Sequence, residues 1–273
     1  MQGALFRLMG EAGLNCQPSA RSYRLNGLLP GFSTKILKPR NIVEMLHVGT
    51  RDAGFAGADW VAEIGADLVE VLDLGLDPVR LVAAAPDDLV VDGKLPAREL
   101  RVASEYENLT ARWIERRDLP ARVIRAFGAT EVFPPEDADC IVDNVSSGAT
   151  LLANHLTVVD ELMTSSTRLY ANRQAMDNSV HRDRIGQLAL LLRSVLNARD
   201  RVLLEINVPA ESLSRVVEVL PCMRQPTVSK LYSESGFAVR AAVPRQELPQ
   251  IIPAVKDCGG TDLLVSSLSQ IVP

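Results

Sequence analysis

The sequence predicts an α/β protein in three parts: two α/β lobes around a cleft, then a smaller separate domain. Three observations carry that expectation. Apolar runs of strand length alternate with helical runs over most of the chain. A polar link rich in Asp, Gly and Pro at residues 86–96 interrupts the alternation. Over about the last seventy residues the order changes to β-α-β-β-α-β. At 273 residues and 47% hydrophobic content the chain has enough apolar material for a proper core, which excludes disorder.

In chain order, residues 2–12 read as helix, 34–37 as strand, 41–48 as helix and 53–56 as strand, the alternation of an α/β lobe with a largely parallel sheet. The second lobe starts at the strand 100–103 and ends near residue 166. The segment 168–172 and the long helical stretch 180–197 cross back to the first lobe. The expected domains are therefore 1–86 with 168–199, 87–167, and 200–273. In the last of these, 202–208 is a strand, and a helix follows with Leu213, Val216, Val217 and Leu220 on one face. Residues 227–232 and 237–243 bracket Ser-Glu-Ser-Gly as a hairpin, a helix over 246–257 stops at Gly259 and Gly260, and 263–265 closes the set. That order is ferredoxin-like. Pro249 and Pro253 fit poorly in the second helix and leave its start and straightness open.

Charge narrows the partners. With 29 basic and 34 acidic residues the net charge is −5, so no global positive field recruits a polyanion, and 4% aromatic content leaves few platforms for stacking bases. Nucleic acid is not an expected partner. Cys16, Cys140, Cys222 and Cys258 lie far apart without Cys-x-x-Cys spacing, which points to neither a disulfide framework nor a zinc site. With no export signal and no apolar run of bilayer length, the expectation is a cytoplasmic protein that does not engage a membrane. His47, His155 and His181 fall in no nucleophile or metal pattern and read as surface or packing residues.

The segment 139–154, Asp-Cys-Ile-Val-Asp-Asn-Val-Ser-Ser-Gly-Ala-Thr-Leu-Leu-Ala-Asn, is the most informative. Cys140, Ile141 and Val142 form a short buried run with Asp143 at its carboxyl end. Ser146, Ser147, Gly148, Ala149 and Thr150 are small residues whose backbone N–H groups can converge before Leu151 opens a helix. Such a turn offers donors and a positive helix end to a phosphate, while Asp143 can accept hydrogen bonds from ribose hydroxyls. An ordinary strand-to-helix turn with Ser and Thr caps has the same pattern.

Further motifs, in order, connect this segment to a known family. They are Asp52-Ala-Gly-Phe-Ala-Gly57-Ala-Asp59, Asp73-Leu-Gly75 followed by Arg80-Leu-Val-Ala-Ala-Ala-Pro86, and Arg101-Val-Ala-Ser-Glu-Tyr-Glu-Asn-Leu-Thr110. Then come Gly128-Ala-Thr-Glu131, the loop from Asp143 to Thr150, and Leu220-Pro-Cys-Met-Arg-Gln-Pro-Thr227. Over nearly its whole length the chain resembles the ATP phosphoribosyltransferases, in their long form with a C-terminal regulatory domain. The resemblance implies two periplasmic-binding-protein-like lobes and transfer of a phosphoribosyl group from phosphoribosyl pyrophosphate to ATP, with Mg2+ present.

By the same resemblance, Asp143 holds the ribose hydroxyls and Ser146, Ser147, Gly148, Ala149 and Thr150 cradle the 5-phosphate. Glu131 serves the sugar or its magnesium ion, and Arg21 with Lys38 or Arg40 reaches a nucleotide phosphate. Gly54 and Gly57, in the turn flanked by Asp52 and Asp59, are expected to serve tight packing. Asn207 and Thr227 are the expected contacts for histidine as feedback inhibitor, and homodimers assembling to a homohexamer are the implied oligomer. Members of the family begin with an apolar strand and a Lys-Gly-Arg turn, whereas this chain opens at Met1 in the following helix; a misplaced start codon is the expectation. Two other readings share parts of the pattern: a catalytically silent histidine sensor, and a two-lobed small-molecule-binding protein without enzymatic activity.

Overall fold

A computed structural model describes residues 2–14, 17–18, 24–26, 28–232 and 236–272. The chain divides into two compact units, residues 1–7 with 16–189 and residues 8–15 with 190–273.

The first unit begins with α1 (Gln2–Glu11), which continues into the second, and a small sheet of β1 (Gln17–Pro18), β2 (Arg24–Asn26) and β3 (Thr34–Lys35). After α2 (Pro39–His47), β4 (Ala53–Gly57) and α3 (Ala58–Ile64) comes the long β5 (Leu68–Pro86). Next are β6 (Leu100–Ser104), α4 (Glu107–Arg116), β7 (Ala121–Arg125), a 3-10 turn Thr130–Val132, β8 (Cys140–Val145) and α5 (Ala149–Ala153). The unit is completed by β9 (Leu156–Asn172), α6 (Arg173–Asp177) and the first half of α7 (Ser179–Arg199). The main sheet has the order β4-β9-β5-β8-β6-β7.

That sheet is mixed, which corrects the expectation of a largely parallel one. Only β8-β6 and β6-β7 pair in parallel; β4-β9, β9-β5 and β5-β8 are antiparallel. The reason is the length of β5 and β9, which pair in opposite directions from Leu68↔Asn172 to Pro86↔Leu156. Strands beside this pair inherit antiparallel partners, and parallel pairing survives where α4 supplies the crossover from β6 to β7. β9 runs unbroken through residues 167 and 168, where the sequence divides the lobes.

Residues Leu81, Val82, Ala83, Ala84 and Ala85 of β5 are all buried, because both faces of the sheet are covered there. Leu81, Ala83 and Ala85 face one core with Val102, Tyr106, Trp113, Cys140 and Val142. Val82 and Ala84 face another with Ile141, Val145, Leu151 and Leu156. Gly54 lets β4 approach α2, since a Cβ there would meet Ile42 Cγ2 at 2.6 Å.

In the second unit β10 (Arg201–Pro209), α8 (Leu213–Glu218), β11 (Thr227–Lys230), β12 (Gly236–Pro244), α9 (Leu248–Asp257) and β13 (Thr261–Ser267) follow one another. Their antiparallel sheet has the order β11-β12-β10-β13. Val202, Leu204, Ile206 and Val208 alternate into a core with Val216, Ile251 and Val255. Pro249 sits in the first turn of α9, where a missing N–H costs nothing, and the helix continues past Pro253. Of the hairpin tetrapeptide, residues 233–235 lie outside the described residues.

Candidate phosphoribosyl-binding site

β8 runs between β5 and β6, and its burial ends where the site begins. Cys140, Ile141 and Val142 are fully buried. Burial, with the Asp139 charge next to it, pushes the Cys140 thiol up to about 12, so it is a packing residue and not a nucleophile. Beyond Val142 the β6 ladder stops, while pairing with β5 continues to Arg80↔Val145. The chain then turns through Ser146 and Ser147 to Gly148, whose φ of 79° is left-handed, and enters α5. First-turn N–H groups of a helix have no partner within it, so this turn presents donors. Ser147 Oγ accepts one of them weakly, from Ala149 N at 3.4 Å.

A cavity of about 210 Å³ opens over this turn. It is lined by Glu131, Asp143, Asn144, Ser146–Thr150 and the apolar Ile141, Val145 and Leu151. Every residue assigned from sequence to the sugar phosphate therefore faces one space. Asp143 Oδ2 accepts from the Thr130 hydroxyl, and Asp143 Oδ1 accepts from Asn144 N at 2.6 Å. Burial raises the Asp143 carboxyl and the Glu131 charge adds to that, while these two hydrogen bonds work against it.

Glu105, just past the carboxyl end of β6, is a third acid of this region, after Asp143 and Glu131, and one that sequence reasoning did not single out. Burial and the Asp143 charge raise its carboxyl, against the pull of Lys38 and Arg40. Two of the three cations expected at a nucleotide phosphate, Lys38 and Arg40, thus lie within electrostatic reach of Glu105. Lys38 is exposed just before α2, and Arg40 pairs with Glu44 at 3.1 Å while its guanidinium lies 5.9 Å from the Trp60 ring centre. Arg21 lies outside the described residues.

Asn144, Tyr106, Asp59 and Ser165 were also missed as a group. Asn144 Nδ2 donates to Tyr106 Oη at 2.9 Å, and Tyr106 Oη donates to Asp59 Oδ2 at 2.6 Å. Ser165 Oγ donates to Asp59 Oδ1 at 2.6 Å and accepts from Asp59 N at 3.1 Å. Gly57 is needed beside them, because a Cβ there would lie 2.1 Å from Asp59 Oδ1. The available signal was the polar pair Asp143-Asn144 at a strand end, which alternation must send to opposite faces.

In the second unit Asn207 donates to Asp262 Oδ2 at 3.1 Å. Thr227, exposed on the edge strand β11, helps line a cavity of about 400 Å³ with Cys222, Arg224 and Arg240; Asn207 does not reach it. His47 and His155 are exposed, and His181 Nδ1 lies 3.4 Å from Asp52 Oδ1. Among the described residues no group of three or more His, Cys, Asp or Glu side chains could hold a metal ion, and no helix is long and apolar enough to cross a membrane.

Comparison with known proteins adds the chemical context. A family model described as ATP phosphoribosyltransferase matches residues 38–194, and one described as HisG, C-terminal domain, matches residues 198–270. The chain is 33% identical to the ATP phosphoribosyltransferase of Pelotomaculum thermopropionicum, with 100% of this chain and 96% of that one aligned. Its identity to the Desulforudis audaxviator protein of the same name is 34%, again over 100% and 96%. A solved ATP phosphoribosyl transferase (HisG:HisZ) complex from Thermotoga maritima shares the fold with a TM-score of 0.61 at 22% identity, covering 70% of this chain and 93% of that one.

Proposed function

Because this chain belongs to the ATP phosphoribosyltransferase family, we infer that it condenses ATP with 5-phosphoribosyl 1-pyrophosphate to give N1-(5-phosphoribosyl)-ATP and pyrophosphate, the first step of histidine biosynthesis. The protein is an enzyme, a pentosyltransferase of histidine biosynthesis. One observation carries the assignment of its site: Asp143, Glu131 and all five residues of 146–150 line a single cavity.

In this reading the Asp143 carboxylate accepts hydrogen bonds from the ribose hydroxyls, and the N–H groups from Ser146 to Thr150 hold the 5-phosphate. Lys38, Arg40 and Arg21 serve the phosphates of ATP. The lone pair on adenine N1 forms the new bond to the sugar, and the electron pair of the broken bond leaves with pyrophosphate. Positive charge grows on the sugar meanwhile, close to Asp143 and Glu131. Positioning two anionic substrates and compensating that charge are the protein's main contributions.

The carboxylates lining the cavity are oxygen donors, which suits Mg2+, an ion that takes one or two protein carboxylates and fills its remaining positions with phosphate and water. Glu131 and Asp143 are the residues that would hold it, and the bound ion would neutralise charge on the pyrophosphate. The wider reading makes the first unit two periplasmic-binding-protein-like lobes around the cleft. Residues 200–273 form a ferredoxin-like regulatory domain that binds histidine through Asn207 and Thr227, in a cytoplasmic homodimer that assembles to a homohexamer.

The test is pyrophosphate release with ATP, phosphoribosyl pyrophosphate and magnesium. Release should require both substrates and disappear in Asp143→Ala. Release that survives this substitution would remove Asp143 from the assigned role.

A further inference from the structure

We propose that Tyr106 is the positioning residue that sets the ligand-binding end of β8, using its hydroxyl to clamp the Asn144 side chain against the buried carboxylate of Asp59. The inference rests on the reading of the Asp143 loop as the phosphoribosyl site and goes beyond it to what holds that loop in place.

Three observations support it. First, β8 loses its β6 partner at the functional residues. The β6 ladder covers Val102↔Cys140, Ala103↔Ile141 and Ser104↔Val142, and then ends. Side chains at the end of β6 and just after it take over. Ser104 Oγ donates to Val142 O at 2.6 Å and accepts from Tyr106 N at 2.9 Å, and the next bond along β8 is the one from Asn144 to Tyr106. Second, alternation along β8 turns Asp143 and Asn144 to opposite faces. Both residues border the cavity, but the Asn144 side chain bonds to Tyr106, so fixing that side chain fixes the rotation of the strand and the aim of Asp143. Asn144 N also donates to Asp143 Oδ1, which makes the two residues one unit.

Third, the clamp is anchored in the interior. Tyr106 has 0% and Asp59 5% relative exposure. The phenol packs on Trp60, with ring centres 4.7 Å apart. Asp59 lies in the first turn of α3, and Ser165 of β9 both donates to it and accepts from it. Burial and the Asp59 charge hold the phenol far above its ordinary range, so it stays a donor to Asp59 and leaves its lone pair for Asn144.

The experiment uses the full chain. Binding of phosphoribosyl pyrophosphate with magnesium is measured by titration calorimetry, and KM is measured for each substrate, for the parent, Tyr106→Phe, Asn144→Ala and the double variant. Tyr106→Phe keeps the ring and removes the hydroxyl. It should raise Kd and KM for phosphoribosyl pyrophosphate about fivefold, as expected if losing the Asn144 hydrogen bond is what reaches the site, and leave KM for ATP near the parent value. Asn144→Ala should reproduce the shift, and the double variant should add little to either alone.

An unchanged Kd in Tyr106→Phe overturns the proposal, as do equal losses for both substrates or additive effects in the double variant. If Tyr106→Phe does not fold, Ser165→Ala takes its place: it loosens Asp59 without touching the cavity, which Asn144 itself lines, and an unchanged Kd for phosphoribosyl pyrophosphate then overturns the proposal. A parent chain that does not bind phosphoribosyl pyrophosphate overturns the reading of the site and this inference with it. Binding by the parent together with an indifferent Tyr106→Phe overturns this inference only.

Discussion

Asp143 is held in a setting that works against its charge. Its carboxyl is raised above the ordinary 3.8 by burial and by Glu131, and the donors Thr130 and Asn144 N only partly offset this. A carboxyl raised in the folded state contributes stability that is fully present below pH 3.8 and is lost as pH rises through its folded value. Asp143→Asn stays uncharged throughout, so it should melt no lower than the parent at pH 7, with the difference shrinking as pH falls toward 3.8. Pyrophosphate release should fall by about a hundredfold or more if this carboxylate meets the sugar as proposed. A variant that melts several degrees lower at pH 7 would show that Asp143 supports the fold instead. Cys140, three positions earlier, shows the opposite balance, because its burial serves only the core.

At the scale of elements, one carboxylate fastens α4 to β9. Asp160 on β9 accepts from Trp113 Nε1 at 2.8 Å and from Arg117 Nε and Nη2 at 2.6 and 2.8 Å. The Arg117 hydrogen bonds, then those of Trp113 and the Arg117 charge, hold its carboxyl below 3.8 against the effect of burial. Here the linkage runs the other way: the contribution is present above pH 3.8 and is lost as pH falls through the lowered value. Asp160→Asn should therefore lower the melting temperature at pH 7, and the two melting curves should converge in strong acid. The loss should be modest, because Arg117 is 56% exposed and solvent screens the pair. A deficit that persists unchanged into acid would assign the effect to packing of the Trp113 indole. The α4 helix was foreshadowed only by its motif, whereas β6 and β8 on either side of the fastening were readable as short apolar runs.

For the whole molecule, the two units divide the proposed work. The first contains the cavity with Asp143, and the second contains a separate cavity bordered by Thr227, Arg224 and Arg240. If the second unit reads histidine, Thr227→Ala should raise the histidine concentration needed for half-inhibition by about fivefold or more. An inhibition curve that does not move would take Thr227 out of the effector site. Elution volume measured with and without histidine would show whether the ligand also changes assembly.

Local pattern alone located several strands and the small-residue turn at 146–150, because a strand end, a small-residue turn and a helix start are adjacent in the chain and follow from short-range sterics and hydrogen bonding. The alternation of β10 was legible for the same reason: one solvated face leaves a period of two in the sequence. What surrounds the site was not legible. The direction of β5 against β9 depends on pairing across most of the first unit, and no local period encodes whether a neighbour is parallel. The clamp depends on partners 38, 47 and 106 positions apart, Asn144 with Tyr106, Tyr106 with Asp59 and Asp59 with Ser165. Each of these residues alone is an ordinary polar or aromatic side chain. Only the folded sheet brings them together and removes Tyr106, Asp59 and Ser165 from water, and that burial makes their hydrogen bonds obligatory.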